Sequence, residues 1–305
     1  MDWLAVKRRG SALDSDYYKQ WACQKMIESS QAHIWEGHWA CAVLALIGVL
    51  EEKLVPATLE AAILQNLEKT VEEHPNEKLY RMDKAYAGFR DGILSVLIQR
   101  GQSCHALGHD VIYAYYIFEA LSRSKIPVTA ELFNAMTVLL EGFARSGPGY
   151  VTINESNIII APEETPATAT RVPLAPAAVL DLFHSFHRPY PMEKGDMQLG
   201  HLLTHGHSII GLQQQFQEPR LVQLENSLFR RLDILAYANG LESNQPELAP
   251  AFTTTVSSPL EQPFWEQALK DSRHGHSYKY AYSYLKLNRM AGRNPSDFKS
   301  FSRIL

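Results

Sequence analysis

Apolar residues recur at helical spacing through most of this chain, and strand-like alternation is confined to one short stretch. Residues 11–28 predict a first amphipathic helix, with Leu13, Tyr17, Trp21 and Met26 on its apolar side. Ala32 to Leu50 is a second, apolar on almost every face. Val55-Pro56 opens a third, with proline at a helix start, and it ends before Glu73-His74-Pro75. Asp83 to Gln99 predicts a fourth, stopped at Gly101. Ser103 to Arg123 predicts a fifth, with His105, His109, Ile112, Tyr116 and Ala120 along one side. Thr129 is placed to cap a sixth that runs to Arg145.

The pattern breaks at Ser146-Gly-Pro-Gly149. Tyr150-Val-Thr-Ile and Asn157-Ile-Ile-Ile then predict a small hairpin, followed by a proline-bearing loop over 161–176. Helical spacing resumes at 176–187, at about 195–216 and over Arg220 to Asn239, where Gly240 is expected to stop the helix. Leu241 to Gln262 predicts a surface loop, and the last helices fall at about 263–271 and 273–291. The expected fold is mainly α: one large helical domain over 1–305, with one short hairpin. The 146–176 hairpin and loop are the one candidate sub-boundary.

Composition narrows the class. The chain has 305 residues, 46% hydrophobic and 20% charged, with a formal net charge of −4. A core this large is affordable at that length, and no basic surplus points to nucleic acid or an acidic membrane. The longest apolar run, Trp39 to Leu50, is short for a bilayer span and meets Glu51-Glu52-Lys53 at once. Cys23, Cys41 and Cys104 stand apart with no CxxC, which suggests a reducing, cytoplasmic setting. No nucleic-acid or membrane partner is expected, and oligomeric state is left open.

The candidate chemistry lies in 12 histidines, many in apolar surroundings. His105/His109 and His201/His205 are spaced i, i+4, so each pair shares a helical face and suits a metal. The competing reading is that one ring of each pair is simply packed. His38 sits in the apolar run, where a hydrogen-bonded core histidine is the commoner outcome. His276 and Lys279, three apart, also share a face. An ammonium offers three donors and no acceptor, so that pair makes sense at a site only if Lys279 is neutral or converted to an anion. Glu-x-x-His, His-Glu-x-x-His, a P-loop, a Gly-x-Gly-x-x-Gly turn and a Gly-x-Ser-x-Gly elbow are all missing. His109-Asp110 is the adjacent pair used by helical metal-dependent phosphohydrolases.

Four segments in order resemble the questin oxidase-like family. They are His38-Trp-Ala-Cys-Ala-Val-Leu-Ala-Leu-Ile-Gly, Cys104-His-Ala-Leu-Gly-His-Asp-Val-Ile-Tyr-Ala, Leu203-Thr-His-Gly-His-Ser and His276-Ser-Tyr-Lys279. His109, His207 and Arg273-His274-Gly275 depart from the family's pattern. The resemblance implies oxidative opening of anthraquinone rings, with NADPH as an external reductant in some members. It also implies a non-haem iron site with four histidine ligands and a carboxylated lysine. Carried over by position, these are His38, His105, His205, His276 and Lys279, with Lys279 also catalytic.

That ligand set is chemically coherent. Four neutral imidazoles suit Fe(II) or another borderline divalent metal. A carbamate on Lys279 adds one anion and an oxygen donor, and its formation needs the neutral amine that burial favours. Five ligands leave one octahedral position. The expectation is therefore an enzyme, a metal-dependent oxygenase acting on a small aromatic or polycyclic ketone by Baeyer–Villiger or dioxygenase chemistry. The alternatives are a helical phosphohydrolase built on His105, His109 and Asp110, and a non-enzymatic helical binding protein.

Overall fold

The computed structural model describes residues 13–80, 85–101, 103–147, 150–153, 156–159, 173–185, 196–243 and 257–295. Four helices form its centre. They are α2 (Gly37–Glu51), α5 (His109–Ser122), α8 (Asp196–Phe216) and α11 (His276–Met290). Each packs on two of the others, α2 on α5, α5 on α8, α8 on α11 and α11 on α2, which closes them into a ring. Their sequences explain the placement. Along α2, every residue from Gly37 to Val49 except Trp39 is buried, and α11 is buried from His276 through Leu285. α2, apolar on nearly all sides, has no face to offer solvent and goes to the middle, while α11 is buried with its tyrosines, Ser277 and Lys279.

The remaining helices wrap this ring. α1 (Ser15–Gln31) packs on α2 and on α6 (Ala130–Ala144), and α3 (Glu60–Glu73) packs on α2. α4 (Phe89–Arg100) lies on α6, α7 (Pro176–Ser185) on α8 and α11, α9 (Glu225–Ser243) on α8, and α10 (Gln262–Lys270) on α3. Caps fix several starts. Asp14 accepts from the Tyr17 amide at 3.2 Å, and Thr129 accepts from the Leu132 amide at 3.2 Å, as its position predicts. The hairpin is present, Tyr150–Ile153 antiparallel to Ser156–Ile159, with Tyr150 opposite Ile159.

Several expected boundaries move. Gly240 does not end its helix; α9 continues through it to Ser243. The helix expected from Asp83 starts only at Phe89. The helices expected from Ser103 and from residue 273 start at His109 and His276, after tight left-handed turns. These last two shifts set which histidines converge. Counted with its preceding turn, Ile34–Glu51 is long and apolar enough to cross a membrane, with mean hydropathy 1.3. Length therefore does not exclude a span, contrary to the expectation; 61% of that stretch is buried inside the protein. The loop expected over 161–176 and the one over 241–262 lie largely outside the described residues.

Candidate metal centre

One histidine from each central helix meets the others in the middle of the ring. His38, His109, His201 and His276 each bring one ring nitrogen, and all four nitrogens lie within 4.8 Å of one another. The imidazoles themselves form a closed circuit. Centroids are 4.6 Å apart for His38–His109 and His109–His201, and 5.0 Å for His201–His276 and His38–His276. His109 and His201 are each 1% exposed, His38 7% and His276 8%.

Three of the rings are aimed by the same local device. A turn precedes the helix, and the carbonyl three residues back holds the ring's Nδ1. His38 Nδ1 donates to the Trp35 carbonyl at 2.8 Å, His276 Nδ1 to the Arg273 carbonyl at 2.6 Å, and His109 Nδ1 to the Ala106 carbonyl. For His109 the turn is Ala106-Leu107-Gly108, and for His276 it is Arg273-His274-Gly275, all six at positive φ. Gly108 and Gly275, at φ 81° and 76°, carry the most left-handed step of each, where a side chain is strained. His201 lies within α8, and its Nδ1 meets the Tyr280 hydroxyl at 3.1 Å.

The hydrogen bonds fix the tautomers. A carbonyl only accepts, so Nδ1 of His38, His109 and His276 must carry the proton, which leaves Nε2 bare in each neutral ring. Yet His38 Nε2 lies 2.7 Å from His109 Nε2, and His201 Nε2 lies 3.1 Å from it. The bare lone pairs of His38 and His109 repel at 2.7 Å unless a cation sits between them. A proton is a poor choice here. Burial, with the Lys279 charge and the neighbouring rings adding to it, holds all four histidines well below their usual range. His276 Nε2 is buried with no hydrogen-bond partner. Converging neutral imidazoles anchored at Nδ1 are the donor set of a divalent transition metal, and the four histidines can hold one.

Lys279 lies one turn beyond His276 and is 1% exposed. Its Nζ has no hydrogen-bond partner, and its charge acts on all four rings. Burial pulls its pKa down from 10.5 to about 7. Cys41 is near enough to couple with it, and burial pushes that thiol up to about 12. The three cysteines are all free and buried.

Of the residues expected at the site, His38 and His276 are in the cluster and Lys279 is beside it. His105 and His205 are not, and His109 and His201 stand in their places. His105 has extended backbone (φ −111°, ψ 134°) just before the left-handed turn. The helix that was to put it on one face with His109 begins only at His109. His205 is fully buried one turn after His201, but its ring is spoken for. Its Nε2 contacts Ser227 Oγ at 3.1 Å, and its Nδ1 accepts from Arg231 Nε at 3.5 Å. The phosphohydrolase set also fails to assemble. Asp110 Oδ1 accepts from the Val111 amide, and Asp110 belongs to no metal-binding group among the described residues.

A signal for the four that converge was in the sequence. Each cluster histidine follows a glycine: Gly37-His38, Gly108-His109, Gly200-His201 and Gly275-His276. The glycines make room at the closest packing points. A Cβ at Gly37 would strike the Tyr113 ring, one at Gly108 the His205 ring at 2.5 Å, and one at Gly200 the Tyr280 ring. The fifth Gly-His, at His207, is also buried, bonded to Tyr115 Oη at 3.2 Å and Ser283 Oγ at 3.0 Å. No family model, curated protein or solved structure matches the chain.

Proposed function

We propose that this chain is a metal-dependent oxidoreductase of questin oxidase-like type. It would hold Fe(II) on His38, His109, His201 and His276 and use dioxygen to cleave, or insert oxygen into, a cyclic or aromatic ketone. The observation that carries the reading is the convergence of four imidazoles, three of them held at Nδ1 by backbone carbonyls, each offering a ring nitrogen within 4.8 Å of the others. Iron supplies the one-electron steps that triplet dioxygen requires and a Lewis-acid hold on a ketone oxygen.

The chain's own residues supply the rest. Four neutral imidazoles leave a divalent ion's charge uncompensated, and no carboxylate joins the cluster among the described residues. Lys279 is the available group. As a neutral amine it can add to carbon dioxide: an N–C bond forms, a proton is released, and the carbamate becomes an anionic oxygen donor. Asp110, pushed up to about 6 by burial, stays outside this balance. The buried side chains of α2, α5 and α11 surround the cluster and keep water from it. Insertion of a single oxygen atom requires two electrons from an external reductant such as NADPH, whereas incorporation of both atoms requires none.

The test is metal content. Protein made in iron-supplemented medium is expected to carry about one metal per chain. Losing a ligand removes most of that, so His109→Ala and His201→Ala are expected to be largely metal-free. His105→Ala is expected to keep it. Full occupancy in the first two variants ends the reading. A phosphatase screen with Mn(II) separates it from the hydrolase alternative.

A further inference from the structure

The described side chains that touch the four imidazoles are nearly all sealed. Tyr113 and Phe143 are 0% exposed, and Tyr280 is 2%. Trp35 is the exception: it is only half-buried, although its ring also meets Phe143 at 5.2 Å. It stacks on His38 with centroids 5.4 Å apart and planes at 18°, and meets His109 edge-on at 5.0 Å. His38 and His276, the two least buried of the four, lie side by side, and Trp35 stacks on His38.

The backbone that carries Trp35 is clamped. Ser29 Oγ donates to the His33 carbonyl at 2.8 Å and accepts from the Gly37 amide at 2.9 Å. The Glu36 amide donates to the His33 carbonyl at 2.9 Å, and Tyr113 Oη donates to the Ile34 carbonyl at 3.3 Å. Trp35's own carbonyl holds His38. The segment therefore cannot swing away without dropping a histidine, whereas the indole itself makes only ring contacts among the described residues, with His38, His109 and Phe143. Turning one side chain is far less costly than unpinning this turn.

We propose that Trp35 is the entrance to the histidine centre: its indole is the movable wall, and a flat aromatic ring is what can take its place against His38 and His109. This deepens the reading above by naming a residue that selects planar aromatic ligands. Neighbouring Trp39 is a natural control. It is also half-buried, but it stacks on His74 at 3.6 Å and neighbours His274 rather than the cluster.

The experiment is histidine carbethoxylation by diethyl pyrocarbonate, followed peptide by peptide in chelator-treated full-length protein. It needs no metal, so its outcome is separate from that of the metal assay. Trp35→Ala is expected to speed labelling of His38 by about tenfold or more, because shielding is lost without global opening. Trp35→Phe is expected to stay slow, and Trp39→Ala to speed His74 alone. Exposed His274 reports the reagent dose in the Trp35 variants. Trp35→Leu carries the test if the alanine variant loses its helical signal. In Trp35→Ala, 2-naphthol is expected to restore protection and cyclohexanol to give none. Unchanged His38 labelling without the indole, or equal opening by Trp39→Ala, overturns the entrance. Equal protection by both alcohols overturns the preference for flat rings.

Discussion

His38 Nε2 and His109 Nε2 stand 2.7 Å apart although both rings spend their Nδ1 proton on a backbone carbonyl. Without a cation between them this contact repels, and with one it becomes coordination. The metal-free protein is therefore expected to be less stable than the loaded one. Binding to the native state alone adds about 2.7 kcal/mol at a hundred times the dissociation constant. Differential scanning of the chelated protein with and without added Fe(II), under nitrogen, measures the gain. His109→Ala is expected to erase most of it. An identical midpoint with and without metal contradicts the coordination account.

The left-handed turns before His109 and His276 give a second prediction. Gly108 and Gly275 have φ of 81° and 76°, and a Cβ there would lie 2.5 Å from the His205 ring and the Ala42 side chain. Gly108→Ala and Gly275→Ala each combine backbone strain with a clash and are expected to cost about 1–3 kcal/mol. They also move the carbonyls that hold Nδ1, so metal content is expected to fall with stability. Gly292, at φ 64° with nothing within 4 Å, isolates the strain. Gly292→Ala is expected to lose stability in urea melts and keep its metal.

The helical fold was legible because apolar spacing reports burial directly. The Thr129 cap and the 150–159 hairpin were read on the same footing. The site was half legible. His38 and His276 are pointed to by the family resemblance and not by helical period. The same resemblance points to His105 where the cluster has His109; helical spacing runs smoothly through Cys104-His-Ala-Leu-Gly-His109, and nothing in that periodicity reveals three consecutive left-handed residues. His201 and His205 share a side of α8, so period alone cannot rank them. The choice is made by Arg231 and Ser227 on another helix, a long-range fact. Gly240 misled in the opposite sense, since tertiary packing carries α9 past it.

That long-range fact yields a third prediction. His205 is fully buried between Ser227 Oγ and Arg231 Nε. Its removal leaves a cavity and disturbs a buried guanidinium, which is expected to cost about 2–4 kcal/mol. His201, one turn earlier, points into the cluster. His205→Ala is thus expected to unfold at lower urea while its folded fraction keeps full metal. His201→Ala is expected to lose metal with its fold intact at low temperature. Metal analysis beside urea titration separates the two, and a reversed pattern would return His205 to the site.

The fourth prediction concerns pH, measured on chelated protein. The four cluster histidines have folded pKa values well below the ordinary 6.5. Below pH 6.5 the unfolded chain takes up protons that the native one refuses, so stability is present above that value and is lost as pH falls. Asp110, raised from 3.8 to about 6, works the other way: between those values the native state holds the extra proton. One carboxyl against four imidazoles does not reverse the acid limb. From about pH 7 to 8 Lys279 dominates, lowered from 10.5 to about 7. There the unfolded chain binds one more proton, so stability is expected to keep rising with pH, by up to roughly 1.4 kcal/mol per unit. Nearer pH 9 the buried Cys23, Cys41 and Cys104, raised by burial from 9.0, act the other way. Lys279→Met removes the amine without charging the core. Urea midpoints taken between about pH 6 and 8 are expected to climb in the native chain and flatten above about 7 in the variant. An alkaline rise that survives Lys279→Met assigns the titration to another residue and removes the argument that Lys279 is a neutral amine at working pH.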